Sequence, residues 1–128
     1  MVKAQRIKVY SGVAAADGTA EAQTNQVHGK IMRVDLDYDA SMAATCTVAI
    51  GEVDTKPEEG ILIITGNTDT AYYPKRLMTD ITGEFNTAEY SAGNDIQGDY
   101  VVSAPVRISI TNATAGKGVT AYLVVEEW

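Results

Sequence analysis

The chain has 128 residues and a formal net charge of -7, with 45% hydrophobic and 21% charged residues, which fits one soluble globular domain with its own core and argues against disorder. Its single cysteine, Cys46, excludes an intramolecular disulfide framework. The excess of 17 Asp and Glu over 10 Lys and Arg disfavours nucleic acid and anionic membrane as direct partners. The N-terminal residues alternate apolar and polar and do not read as a secretory signal, and no apolar run approaches the roughly 20 residues of a membrane helix.

The dominant hydrophobic period is two. Residues 3–10 read as a first strand with Ile7 and Val9 on one face. Residues 12–26 are rich in Ala and Thr and nearly lack large apolar groups, so they read as a long loop or extended arm, expected to be pinned against a neighbouring chain. Residues 27–38 form a long strand with Met32, Val34, Leu36 and Tyr38 on one face. Val27 and Ile31 have the opposite parity, which predicts a bulge or second buried contact near Ile31 and Met32.

Residues 45–53 carry the next strand, with Cys46, Val48 and Ile50 in phase. Residues 61–65 are apolar on both faces and are expected to be central or covered on both sides. Pro74 breaks residues 71–81 and marks an edge, bulge or bend. Residues 82–98 read as an exposed loop. Residues 100–111 carry Val102, Ala104, Val106, Ile108 and Ile110 in phase, with Pro105 demoting the strand toward an edge or marking a bend. Residues 112–118 read as a hairpin connection, and 119–126 close the chain with Val119, Ala121, Leu123 and Val125 inward. No helix of 10 residues is expected. The pattern predicts seven to eight strands in a single all-β domain over residues 1–128, an antiparallel β-sandwich of jelly-roll type or a related small barrel.

Chemistry is sparse in this pattern. His28 is the single histidine and reads as an exposed or hydrogen-bonded strand residue rather than a catalytic base. Cys46 lies in phase with Val48 and Ile50 and reads as a small buried hydrophobe. Asp35, Asp37 and Asp39 imitate the start of a calcium loop, but Ala40 and Cys46 stand where such a loop needs Gly and Glu, so a solvated strand face is the better reading. No cysteine–histidine cluster suits zinc, and the Gly116-Lys117 pair lacks phosphate-loop spacing. Neither a catalytic residue, a metal site nor a cofactor is expected. The densest aromatic spot is Tyr72-Tyr73-Pro74. With Trp128 it is expected to anchor an interface, the alternative being a sugar-binding platform that also draws on Tyr90 and Tyr100.

The order of segments resembles that of the head decoration, or capsid cement, proteins of tailed bacteriophages. The resemblance is carried by Val27-His28-Gly29-Lys30-Ile31 leading to Asp37-Tyr38, then Thr47-Val48-Ala49-Ile50, Ile61-Leu62, and Thr65-Gly66-Asn67-Thr68-Asp69-Thr70-Ala71-Tyr72-Tyr73-Pro74. Tyr100-Val101-Val102, Val106-Arg107-Ile108-Ser109-Ile110 and Val119-Thr120-Ala121-Tyr122-Leu123 complete it. It spans residues 27–126 as a pattern, with the turn into Tyr-Tyr-Pro its most specific part; residues 12–26 match no family pattern. The resemblance implies a non-enzymatic virion protein, a homotrimer on the capsid exterior, made in the host cytoplasm and bound to the major capsid protein. An acidic surface suits such a role, since a shell subunit facing packaged DNA gains from basic charge. A carbohydrate-binding or adhesin module of a tail or fibre is the alternative.

Overall fold

The computed structural model describes residues 3–53, 60–77 and 97–127. Among the described residues eight strands run in the order β1 (Lys3–Tyr10), β2 (Ala20–Tyr38), β3 (Thr47–Glu52), β4 (Leu62–Thr65), β5 (Thr70–Tyr72), β6 (Lys75–Leu77), β7 (Gln97–Thr111) and β8 (Val119–Glu127). No helix occurs among the described residues. The pairing is antiparallel throughout, and six strands form one curled sheet in the order β1-β8-β2-β7-β3-β4. The all-β reading is shown, in the form of a half-barrel.

The curl is built into β2. Its first part pairs with β7 up to Ile31↔Tyr100, and its second part pairs with β8 from Gly29↔Glu127 to Tyr38↔Val119. Gly29 belongs to both ladders, with φ of 152°. A Cβ there would press into the Glu126 carbonyl of β8, so only glycine lets the strands approach this closely.

Just beyond, Met32 is the extra residue of a bulge between Ile31↔Val125 and Arg33↔Val124. The bulge lets Val27 and Ile31 on one parity, and Val34, Leu36 and Tyr38 on the other, all face the core. The expected parity switch is therefore present. Met32 itself, expected inward, is instead 44% exposed, because the bulge removes it from the inner row.

The core is the inner face of the curl. Val119, Ala121, Leu123 and Val125 of β8 are fully buried, as are Val48 of β3 and Val106 and Ile108 of β7. Burying each of the larger of these side chains contributes about 1.5–3 kcal/mol, which outweighs the weak intrinsic strand preference of their polar neighbours. Cys46 joins this core, as the sequence indicates.

Three expectations are corrected. Ala20–Gln26, read as loop, is the first part of β2, held by backbone pairing to β7 with Ala20 and Ala22 half-buried. The preceding loop makes backbone hydrogen bonds within its own chain. Ala14 is buried and its N–H donates to the Lys117 carbonyl at 2.8 Å, while Gly116 and Ala113 donate back to Ala14 and Gly18.

β4, expected to be central or covered on both sides, is instead the last strand of the order, and Ile63 is 48% exposed. Pro105 does not place β7 at an edge, because β7 lies between β2 and β3. It marks a bulge. Gln23↔Arg107 is followed by Gln26↔Pro105, so Thr24 and Asn25 stand opposite Val106 alone. Proline has no N–H for the ladder, and the next N–H, that of Val106, donates to Thr24 Oγ1 at 3.0 Å. The expected loop over 82–98 lies largely outside the described residues, although Gln97 and Gly98 belong to β7.

Candidate functional site

The segment around Tyr72-Tyr73-Pro74 occupies a fork in the sheet. β2 and β7 pair as far as Ile31↔Tyr100 and then separate. β5 runs along β2, with Leu36↔Thr70, Asp35↔Ala71 and Val34↔Tyr72. After Tyr73 and Pro74 the chain runs back along β7, with Lys75↔Asp99 and Leu77↔Gln97. The Tyr-Tyr-Pro corner is thus the point of a wedge that each arm of the fork holds by backbone pairing. Pro74 suits the corner, since it sets φ and leaves no N–H to satisfy.

The three residues divide their roles. Tyr72 is half-buried against the core, Pro74 is buried, and Tyr73 is 66% exposed. As expected anchors they are not equivalent, since Tyr73 alone projects its ring into solvent. A stacked sugar platform from Tyr72 and Tyr73 is not formed here, because the core takes one face of Tyr72. Tyr100, also weighed as part of such a platform, is buried in the core. Trp128 and Tyr90 lie outside the described residues.

The approach to the corner is fixed by side chains on turns. Asp69 Oδ1 accepts the Tyr38 N–H at 2.8 Å, Asn67 Nδ2 donates to the Met42 carbonyl at 2.8 Å, and the Gly66 N–H donates to the Cys46 carbonyl at 2.9 Å. A cleft of 470 Å³ lies between the turn after β2 and this loop, with Tyr38, Ser41, Asn67 and Asp69 on its walls. Ser41 takes a positive φ of 66°, which tightens that turn.

Asp39, at the same end, is committed to structure. Its Oδ2 accepts the Tyr10 hydroxyl at 2.7 Å and the Gly118 N–H at 2.8 Å. The Tyr10 hydrogen bond, then the Gly118 N–H, holds this carboxyl below the usual range, and the same contact raises the Tyr10 phenol. Gly118 has no space for a side chain, since a Cβ would meet the Gly12 carbonyl and the Tyr10 ring. Ser11, buried beside this latch, accepts the Val119 N–H at 3.0 Å and donates to the Gly12 carbonyl at 2.8 Å.

The remaining candidates fall into place individually. Asp35 pairs with Arg33 at 2.9 Å, Asp37 is exposed, and Asp39 serves the latch, so the three aspartates do not converge. No group of three or more metal-ligating side chains gathers among the described residues. The Cys46 thiol is pushed up by burial, which suppresses the thiolate.

His28 is exposed, and its Nδ1 lies 2.9 Å from Ser103 Oγ across the β2–β7 ladder. Sequence reasoning placed no serine beside this histidine, because the contact depends on the register His28↔Ser103. The pair sits on an exposed strand face, and no carboxylate orients the ring among the described residues. Tyr38 carries a buried hydroxyl without a hydrogen-bond partner among the described residues, and burial pushes it up to about 12. Comparison with protein-family models, with curated proteins and with solved structures finds no match to this chain.

Proposed function

We propose that the chain is a non-enzymatic virion structural protein of the capsid-decoration kind. It binds the outer surface of a major capsid protein as a homo-oligomer, a trimer by the family pattern, and reinforces the shell. The observation that carries this reading is the Tyr73 ring, presented to solvent on a corner between half-buried, strand-paired Tyr72 and buried Pro74. A large amphipathic ring on a fixed mount loses little conformational freedom on docking, which is the property of interface anchors. The charge of -7 supports the same reading, since it favours solubility at high copy number and an exterior position away from packaged DNA.

Co-sedimentation with capsids of the encoding phage, stripped of this chain, tests the reading. The wild-type protein pellets with the capsids, while Tyr73→Ser stays in the supernatant at an unchanged melting temperature. A wild-type protein that does not pellet, or a Tyr73→Ser variant that binds equally, refutes it. Sedimentation equilibrium of the free protein is expected to give three times the 13.7 kDa chain mass.

A further inference from the structure

A second cleft, of 370 Å³, lies between β1 and the bulged part of β2. Four carboxamides line it, those of Gln5, Gln23, Asn25 and Gln26. The bulge makes this concentration possible. Strict alternation sends neighbouring side chains to opposite faces, but Thr24 and Asn25 both stand opposite Val106, and the consecutive residues 23–26 all border the cleft. Bulges re-aim side chains in this way next to binding sites.

Two of the carboxamides are partly committed. Gln26 Nε2 donates to the Ser103 carbonyl at 3.1 Å, and the Gln5 amide group turns toward the Glu127 carboxylate, 2.6 Å from Oε2. Gln26 keeps its amide oxygen as an acceptor. Gln23 and Asn25 are exposed and their carboxamides have no hydrogen-bond partner among the described residues. Each offers two donors and two acceptor lone pairs. Ile7, half-buried, gives the cleft an apolar surface. Its charges are Lys8 and Glu127, one of each sign.

We propose that this cleft binds a neutral, hydroxyl-rich ligand, a glycan segment of one or two sugar units. A carboxamide donates to one hydroxyl and accepts from its neighbour, matching vicinal hydroxyls on a pyranose, while Ile7 meets the C–H face of the ring. The balanced charges give no preference for an acidic or a basic ligand. The volume lies at the small end of the ligand-pocket range, about 300–1,000 Å³. The site shares no residue with the Tyr73 corner, so it stands or falls separately from capsid binding.

Heteronuclear NMR on the ¹⁵N-labelled full chain tests the proposal with maltose, cellobiose and N,N′-diacetylchitobiose as probes, each to about 10 mM, and glycerol as control. At least one disaccharide is expected to shift the side-chain NH₂ signals of Gln23 and Asn25 along a saturable curve, with glycerol without effect. The double variant Gln23→Ala, Asn25→Ala changes two exposed side chains and is expected to weaken binding by about tenfold or more, with backbone signals of the core unmoved. No shift with any disaccharide, an equal shift with glycerol, or unweakened binding by the double variant overturns the proposal.

Discussion

Tyr38 and Asp39 are adjacent in sequence and opposite in behaviour. Tyr38 sits in the inner row of β2 with its hydroxyl buried and unpartnered among the described residues. Removing an unpaired buried hydroxyl loses no hydrogen bond and relieves its desolvation. Tyr38→Phe is therefore expected to leave stability unchanged or raise it by up to about 1 kcal/mol, read as the urea midpoint. A loss larger than that contradicts the structure around the ring.

Asp39 faces outward and knits three segments together through Tyr10 and Gly118. Its folded-state value is lowered, so its contribution is fully present above the ordinary carboxylate value of about 3.9 and is lost as pH falls through the lowered value. Because the group is largely exposed, the effect is expected to stay below about 1 kcal/mol. Asp39→Asn should melt lower than wild type at pH 7, and the gap should close as the pH falls through that lowered value. Differential scanning calorimetry across that range checks this, and a gap independent of pH contradicts it.

Among the elements, β2 sets the shape, and its glycine is the point of greatest sensitivity. Gly29→Ala places a methyl group against the β8 backbone at Glu126, in a conformation that L-residues avoid. A cost above about 3 kcal/mol is expected, a large fraction of a typical domain's stability. Gly12→Ala is the control, since Gly12 also has positive φ, 84°, but open space around it. It should cost only about 1–2 kcal/mol. Equal urea midpoints for the two variants would show that the β2–β8 approach is not what Gly29 serves.

The legibility of β2 from sequence was uneven for physical reasons. The bulge at Met32 was readable because apolar residues change parity there, from Val27 and Ile31 to Val34 and Leu36. The bulge at Thr24 and Asn25 was not, because polar residues carry no phase and the cause, Pro105, lies on another strand. Ala20–Gln26 was missed as strand for the same reason, since backbone pairing rather than side-chain burial holds it. β4 was placed wrongly because an apolar run normally signals cover on both faces, whereas Ile63 is half exposed at the end of the sheet order. The Tyr-Tyr-Pro segment stood out by composition. The assignment of Tyr72 and Pro74 to the fold and Tyr73 to solvent required the fork, which is a long-range feature of β2 and β7.

At the scale of the molecule, a half-barrel with a packed inner face places its distinctive features at the margins. The corner at Tyr73, the latch at Asp39 and the carboxamide cleft are all made where strands part, turn or bulge. The outer strand β1 carries Lys3, Arg6 and Lys8, with Arg6 stacked 4.0 Å above the Tyr122 ring; charges on an outer strand discourage unspecific sheet extension. Such a molecule suits a repeated, rigid binding unit. Cryo-electron microscopy of native particles that co-purify with this chain is the most direct test of the proposed role. The half-barrel is expected on the outer surface of the capsid, at regular positions, with Tyr73 against the major capsid protein. Density for the chain on the tail alone, inside the shell, or with Tyr73 facing solvent on every copy would contradict it.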